Sequence, residues 1–320
     1  MGGPGTASAG GGRRGPTMTT VTISFAPGAY TVHAPATSAN LGPGFDALGL
    51  ALDLCDEVTA WVAEDGKTAV EVVGEGAGEL PADETHLVVR AMRETFGELG
   101  VQPAGLGLRC VNRIPQARGM GSSSAAITAG VTLANALAGG RLTRADEVRI
   151  AGRIEGHPDN IAPCLLGGFT IAWTEAGGAR AVALPVAAEI RPTVFVPAVR
   201  GLTAHARAAL PATVPHADAA FNAGRAALLT HALTGAPGLL FEATEDRLHQ
   251  GYRAAGMPET AALVAQLREA GVAAVVSGAG PSVLALSPVP SGFAAGGSWL
   301  AHTLAVFAGG ARVSAGRIPG

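Results

Sequence analysis

Lysine is nearly missing from this chain: of 320 residues only Lys67 is one, and arginine supplies the remaining basic side chains. A Walker-type phosphate loop, which needs Lys directly after its last glycine, is therefore excluded. Charge is scarce as well. Charged residues make up 15%, the net charge is −3 and the pI is near 6.2, so no basic footprint exists for nucleic acid or an anionic membrane surface. Mean hydropathy is +0.31, yet runs such as Val272–Val276 and Val283–Leu286 end at Gly or Pro, far short of the roughly 20 residues a membrane helix needs. Cysteine is sparse too. Cys55, Cys110 and Cys164 lie far apart without a CxxC, which argues against a disulfide framework and points to a reducing, cytoplasmic setting. Residues 1–27 open with Gly, Ala and Ser around Arg13-Arg14 and lack an apolar signal core, so they read as a disordered tail, with Met1 or Met18 as the start.

What is present is punctuation by glycine. Alternation predicts strands over Tyr30–Ala34 and Leu48–Val62, separated by a loop Pro35–Asp46. A helix is predicted over Leu87–Leu99, a strand over Leu106–Ile114, and then a helix carrying Ile127, Val131, Ala134 and Ala138 up to Gly139-Gly140. Thr143 and Asp146 form a capping box for a helix to about Ile154. Strands follow at Phe169–Thr174 and Thr193–Val196. Helices are expected around Ala219–Leu233 and from Pro258 to Gly271, and a strand, loop and strand surround Ser277–Ser282. Without strict βαβ alternation the class is α+β. Two lobes are expected, 28–180 and 181–320.

Four polar constellations carry the chemistry. Pro35–Asp46 gathers hydroxyl, amide and carboxylate groups around Gly42 and Gly44. Pro115, Arg118, Gly119, Met120, Gly121, Ser122, Ser123 and Ser124 run into a small-residue helix. Glycine there lets backbone amides approach an anion, the serines offer an N-cap and metal-facing hydroxyls, and the helix N-terminus attracts negative charge. Glu155-Gly156-His157-Pro158-Asp159-Asn160 compresses two carboxylates, an imidazole and an amide into a turn, and Glu155 with a loop serine suits Mg²⁺. Ser277–Ser282 is a glycine-rich connection between short apolar strands.

Together these segments resemble the GHMP kinase superfamily and, within it, the homoserine kinases. The pattern P-x-x-x-G-L-G-S-S-A appears as Pro115–Ser124, with Met120 for leucine and Ser124 for alanine. The resemblance implies a two-lobed fold, with a ribosomal protein S5 domain 2-like N-terminal lobe, 28–180, and a ferredoxin-like C-terminal lobe, 181–320. It implies ATP and Mg²⁺ as cofactors, with Ser123 and Glu155 holding the metal and the loop amides wrapping the phosphates. His86, ahead of Leu87, takes the place of the family's adenine-contacting Asn. L-homoserine is the implied small-molecule substrate. Arg207 and Arg253 would bind its carboxylate, Asn40 and Asp46 its ammonium and Asn160 its hydroxyl, with His157 also among the substrate-binding residues. Asn160, Asp159 and Glu155 form the catalytic group, with Asp159 organising the turn rather than acting as a base. Mevalonate- or shikimate-type kinases and a non-catalytic sensor are the rivals; a homodimer is left open.

Overall fold

The computed structural model describes residues 1–3, 25–201, 203–296 and 299–319; the expected tail lies mostly outside them. In the first sheet, β1 (Ala29–Ala39) is antiparallel to β2 (Leu48–Val62), and β4 (Leu106–Asn112) runs antiparallel to β2 and parallel to β3 (Ala69–Gly74). β5 (Phe169–Glu175) joins β2 and β6 (Gly178–Leu184), while β11 (Arg312–Gly316) returns from the far end to flank β1. The expected lobe boundary near residue 180 thus falls inside β6. Helices α1 (Leu87–Glu98), α2 (Ser122–Leu137), α3 (Arg144–Glu155) and α4 (Ile161–Leu166) pack together beside this sheet. The predicted capping box is formed, with the Thr143 hydroxyl accepting from the Asp146 amide.

The second sheet has the order β10-β7-β9-β8, from β7 (Thr193–Pro197), β8 (Ala274–Val276), β9 (Val283–Ala285) and β10 (Trp299–Thr303). Around it lie α5 (Thr203–Ala208), α6 (His216–Gly235), α7 (Leu240–Ala243), α8 (Gln250–Arg253) and α9 (Pro258–Glu269). The two-residue period of its strands divides the interior. Val194, Val196, Val275 and Leu284 join the large core shared with the first sheet and α6, while Phe195, Ala274 and Val283 pack with Leu263 and Leu267 of α9. The lobes therefore share one apolar core rather than hanging on a hinge.

Several elements differ from the sequence expectation. β1 continues through a register shift at Pro35/Ala36 to Ala39, so the first polar loop is shorter than Pro35–Asp46. β3, β6, β10, β11, α4, α5, α7 and α8 are additional. β10 and β11 are exposed along most of their length, so no buried face writes an alternating pattern into their sequences. No helix among the described residues is long and apolar enough to cross a membrane.

Candidate active site

The polar constellations converge on one cavity of about 580 Å³ that runs from His86 and Asn112 past Ser123 and Glu155 to Arg207 and Arg253. Its walls come from both lobes. The Ser277–Ser282 loop docks on the end of β1: Ser277 Oγ donates to Gly119 O (2.7 Å) and lies within hydrogen-bond distance of the Ser38 hydroxyl (2.8 Å), and the Gly278 amide donates to Ala39 O.

At the phosphate end, the N-cap of α2 is Gly121 at φ +72°, not a serine as expected, and no side chain caps the helix. A Cβ there would strike Thr37 Oγ1. The consequence is chemical: the first-turn amides of Ser122, Ser123 and Ser124 meet no acceptor among the described residues, and all three residues line the cavity. Ser123 Oγ and Ser124 Oγ both donate to Glu155 Oε1, at 2.7 and 2.8 Å. Ser123 is exposed to the cavity and Ser124 is buried. This hydroxyl–carboxylate pair beside free amides fits a hard cation accompanied by phosphate. Met120 is in the core, so only its backbone can reach a ligand. Arg118, placed at the phosphates by the sequence reading, donates to the carbonyls of Pro197, Ala198 and Gln116 and so ties the glycine loop to β7. Pro115 begins that loop.

His86 caps α1 by accepting the Val88 amide on Nδ1 (3.3 Å), which leaves the proton on Nε2. Nε2 is buried with no partner among the described residues, and burial pulls the imidazole below its ordinary value. A neutral donor thus lines the cavity at the end formed by His86 and Asn112. Asp56, unpredicted, accepts the Arg113 and Ile114 amides (2.6 and 2.9 Å) and fixes the exit from β4 into the glycine loop; burial pushes it up to about 6.

In the turn after α3, His157 Nδ1 lies 2.9 Å from Asp159 Oδ1, and that hydrogen bond raises the imidazole above its usual value. Gly49 of β2 lets the turn approach, because a Cβ would overlap Asp159 O and the Pro163 ring. Thr37 Oγ1 donates to Asn160 Oδ1 (2.8 Å), so the amide orientation is set from β1. Sequence reasoning placed Thr37 inside the first polar loop but gave it no role.

The third region is self-paired. Asp46 and Arg207, assigned separately to ammonium and carboxylate, form a two-pronged ion pair with both contacts at 2.9 Å. Asn40 is used structurally: Nδ2 donates to Gly278 O (2.8 Å) and Oδ1 accepts the Asp46 amide (2.9 Å). Asn40, Leu41 and Asp46 all take positive φ, at 67°, 49° and 55°, an unusual concentration of strain in so short a loop. The Arg207 and Arg253 guanidinium carbons lie 5.7 and 5.4 Å from the Phe45 ring centroid. Burial, then the charge of Arg207, lowers Arg253 from its ordinary value.

Comparison with known proteins follows the same lines. Residues 86–168 match the GHMP kinases N terminal domain and residues 220–291 the GHMP kinases C terminal domain. The chain is 54% identical to a homoserine kinase of Streptomyces avermitilis over 297 residues, covering 91% of this chain and 97% of that protein. It is likewise 54% identical to a homoserine kinase of Streptomyces coelicolor, with 91% and 96% covered. The crystal structure of homoserine kinase from Cytophaga hutchinsonii superposes with a TM-score of 0.79 at 27% identity, covering 94% of this chain and all of that one. With its glycine loop, its uncapped helix and its two-lobed α+β architecture, the chain belongs to the GHMP kinases and, within them, to the homoserine kinases.

Proposed function

We propose that the chain transfers the γ-phosphoryl group of ATP to the side-chain hydroxyl of L-homoserine, giving O-phospho-L-homoserine for threonine synthesis. The observation that carries this reading is the single cavity in which open helix amides and the Ser123–Glu155 pair stand at one end and the Asp46–Arg207 pair at the other. Amides of Gly119 to Ser124 hold the phosphates, and His86 Nε2–H faces the base. Ser123 Oγ and Glu155 are the residues that would hold Mg²⁺. When bound, Mg²⁺ neutralises charge on the phosphate oxygens. Ser123 Oγ and Glu155 Oε1, now joined by a hydrogen bond, are the oxygens that would face the cation.

At the other end, Arg207 already holds a carboxylate, and Asp46 already holds a cation. A zwitterionic amino acid supplies both replacements at once: its carboxylate goes to the Arg207 fork with Arg253, and its ammonium to Asp46. A ligand with one charge would open the pair and leave one partner unmatched. The exchange thereby favours α-amino acids over mevalonate or shikimate.

Asn160, oriented by Thr37, positions the hydroxyl. Phosphoryl transfer proceeds through a loose transition state, so positioning and charge stabilisation supply most of the catalysis without a strong base. Asp159 accordingly holds His157 and the turn. Since ATP is the donor, we place the reaction in the cytoplasm.

The test is ADP release by the purified chain with ATP and Mg²⁺ on L-homoserine, mevalonate and shikimate, with the phosphate located on the product. Turnover of homoserine alone is expected. Turnover of another alcohol without homoserine, or binding of ATP and homoserine without any turnover, overturns the proposal.

A further inference from the structure

Behind the carboxylate end lies a buried imidazole that the reaction as described does not use. His249 immediately precedes α8 and has no solvent exposure. Its Nδ1 is 3.1 Å from Arg253 Nη1, and its Nε2 is 2.8 Å from Gly42 O. A guanidinium only donates, so Nδ1 is the acceptor; the ring proton is on Nε2 and is donated to Gly42 O. The ring also lies against Phe45 of the same loop, with centroids 5.2 Å apart.

The surroundings hold this imidazole in place. Asp246 Oδ2 accepts the backbone amides of His249 (3.1 Å) and Gln250 (2.8 Å), and Oδ1 accepts that of Leu248 (2.9 Å), so the chain entering α8 is fastened before the ring is oriented. Arg253 has a second anchor, since its Nε donates to Ala206 O in α5 at 3.0 Å. With Nε and Nη1 both bound, Nη2 is the terminal nitrogen left without a partner among the described residues, on a side chain that lines the cavity. The imidazole therefore joins two parts of the site over 200 residues apart in sequence, the Gly42 turn that leads to Asp46 and the guanidinium of Arg253. Burial draws His249 below its ordinary value, in keeping with the neutral ring that this pair of hydrogen bonds requires.

We propose that His249 is a positioning residue for α-carboxylate recognition: its Nδ1 fixes the rotamer of Arg253 so that Nη2 is presented to the carboxylate, while its Nε2–H pins the loop carrying Asp46. The proposal rests on the homoserine reading above. The two ring nitrogens can be separated by substitution. His249→Gln places an amide near Nε2, keeping a donor for Gly42 but removing the acceptor for Arg253. His249→Asn places an oxygen near Nδ1, keeping the acceptor and removing the donor.

The experiment is steady-state kinetics of both full-length variants for homoserine and for ATP, with melting temperature and circular dichroism as folding controls. Inhibition by 3-aminopropan-1-ol, which lacks the carboxylate, is the third readout. His249→Gln is expected to raise the homoserine KM roughly tenfold or more, the size of a lost hydrogen bond to a charged group. The ATP KM and the inhibition by the amino alcohol should both hold within about twofold, and His249→Asn should raise the homoserine KM much less. Equal effects of the two variants, or parallel rises in both KM values that track melting temperature, overturn the positioning role. If His249→Gln does not fold, His249→Asn decides alone, and a homoserine KM matching that of Arg253→Gln overturns the proposal. Absence of homoserine turnover by the wild-type chain defeats the underlying reading and the proposal with it; turnover without the split between variants defeats the proposal alone.

Discussion

The two ends of the cavity are built on opposite plans. At the glycine-loop end the donors are left open: Gly121 offers no cap, the amides of Ser122 to Ser124 meet no acceptor among the described residues, and two hydroxyls approach Glu155. At the amino-acid end Asp46 and Arg207 are already paired, and Arg253 is held in place by the neutral His249 with Nη2 left without a partner among the described residues. An open end accepts any ligand with enough negative charge and is suited to a nucleotide common to many kinases. A self-paired end admits only a ligand that replaces both partners, and specificity is concentrated there.

The largest effect should come from closing the open end. Glu155→Gln removes the carboxylate that faces both serines, and kcat/KM should fall by at least about 10²–10³-fold, as for other losses of a group that stabilises transition-state charge. Steady-state assays across a Mg²⁺ titration check this, and an unchanged Mg²⁺ requirement with near-normal turnover would show that Glu155 lies outside the metal site. Next is the self-paired end. Asp46→Asn should raise the homoserine KM roughly tenfold or more while the ATP KM stays within about twofold. Arg207→Lys should do the same, because an ammonium cannot reproduce the fork. Equal movement of both KM values would show that the two ends are not separable.

Asp159→Asn tests the turn between them. Turnover should fall by less than about tenfold, against the 10²–10⁴-fold expected on removing a general base. The same change should lower the His157 titration followed by NMR, because the Asp159 hydrogen bond is the main cause of its elevation. The sign for stability follows. His157 is raised above 6.5, so its contribution is fully present below that pH and fades as pH rises through the native value; the variant should lose this pH dependence. The smallest effect belongs to Ser124→Ala, which removes one of two hydroxyls on Glu155 Oε1 and restores the family's usual residue. A few-fold loss in kcat/KM, on the order of 1 kcal/mol, is expected from parallel assays.

Legibility in the sequence follows the same division. The glycine loop is local, since Pro115 to Ser124 are consecutive and Glu155 ends the second helix after it, so spacing and residue type disclose the loop and the carboxylate that Ser123 and Ser124 meet. Long buried elements such as β2 and α2 are equally legible from their period. The self-paired end depends on contacts that no local pattern records. Asp46 and Arg207 are 161 residues apart, and each was placed at the substrate without any sign that they would meet. His249 had one available signal, its i,i+4 spacing to Arg253, and Asp56 had none. The exposed strands β10 and β11 were hidden for a different reason: edge strands with little burial need no hydrophobic alternation.

The most direct test of this division is turnover on three alcohols that differ only in charge: L-homoserine, 4-hydroxybutanoate without the ammonium and 3-aminopropan-1-ol without the carboxylate. The account predicts efficient phosphorylation of L-homoserine and kcat/KM lower by roughly 10²-fold or more for each singly charged analogue, since each leaves a charged group at the site unmatched. Phosphorylation of 4-hydroxybutanoate at a rate close to that of L-homoserine would contradict it.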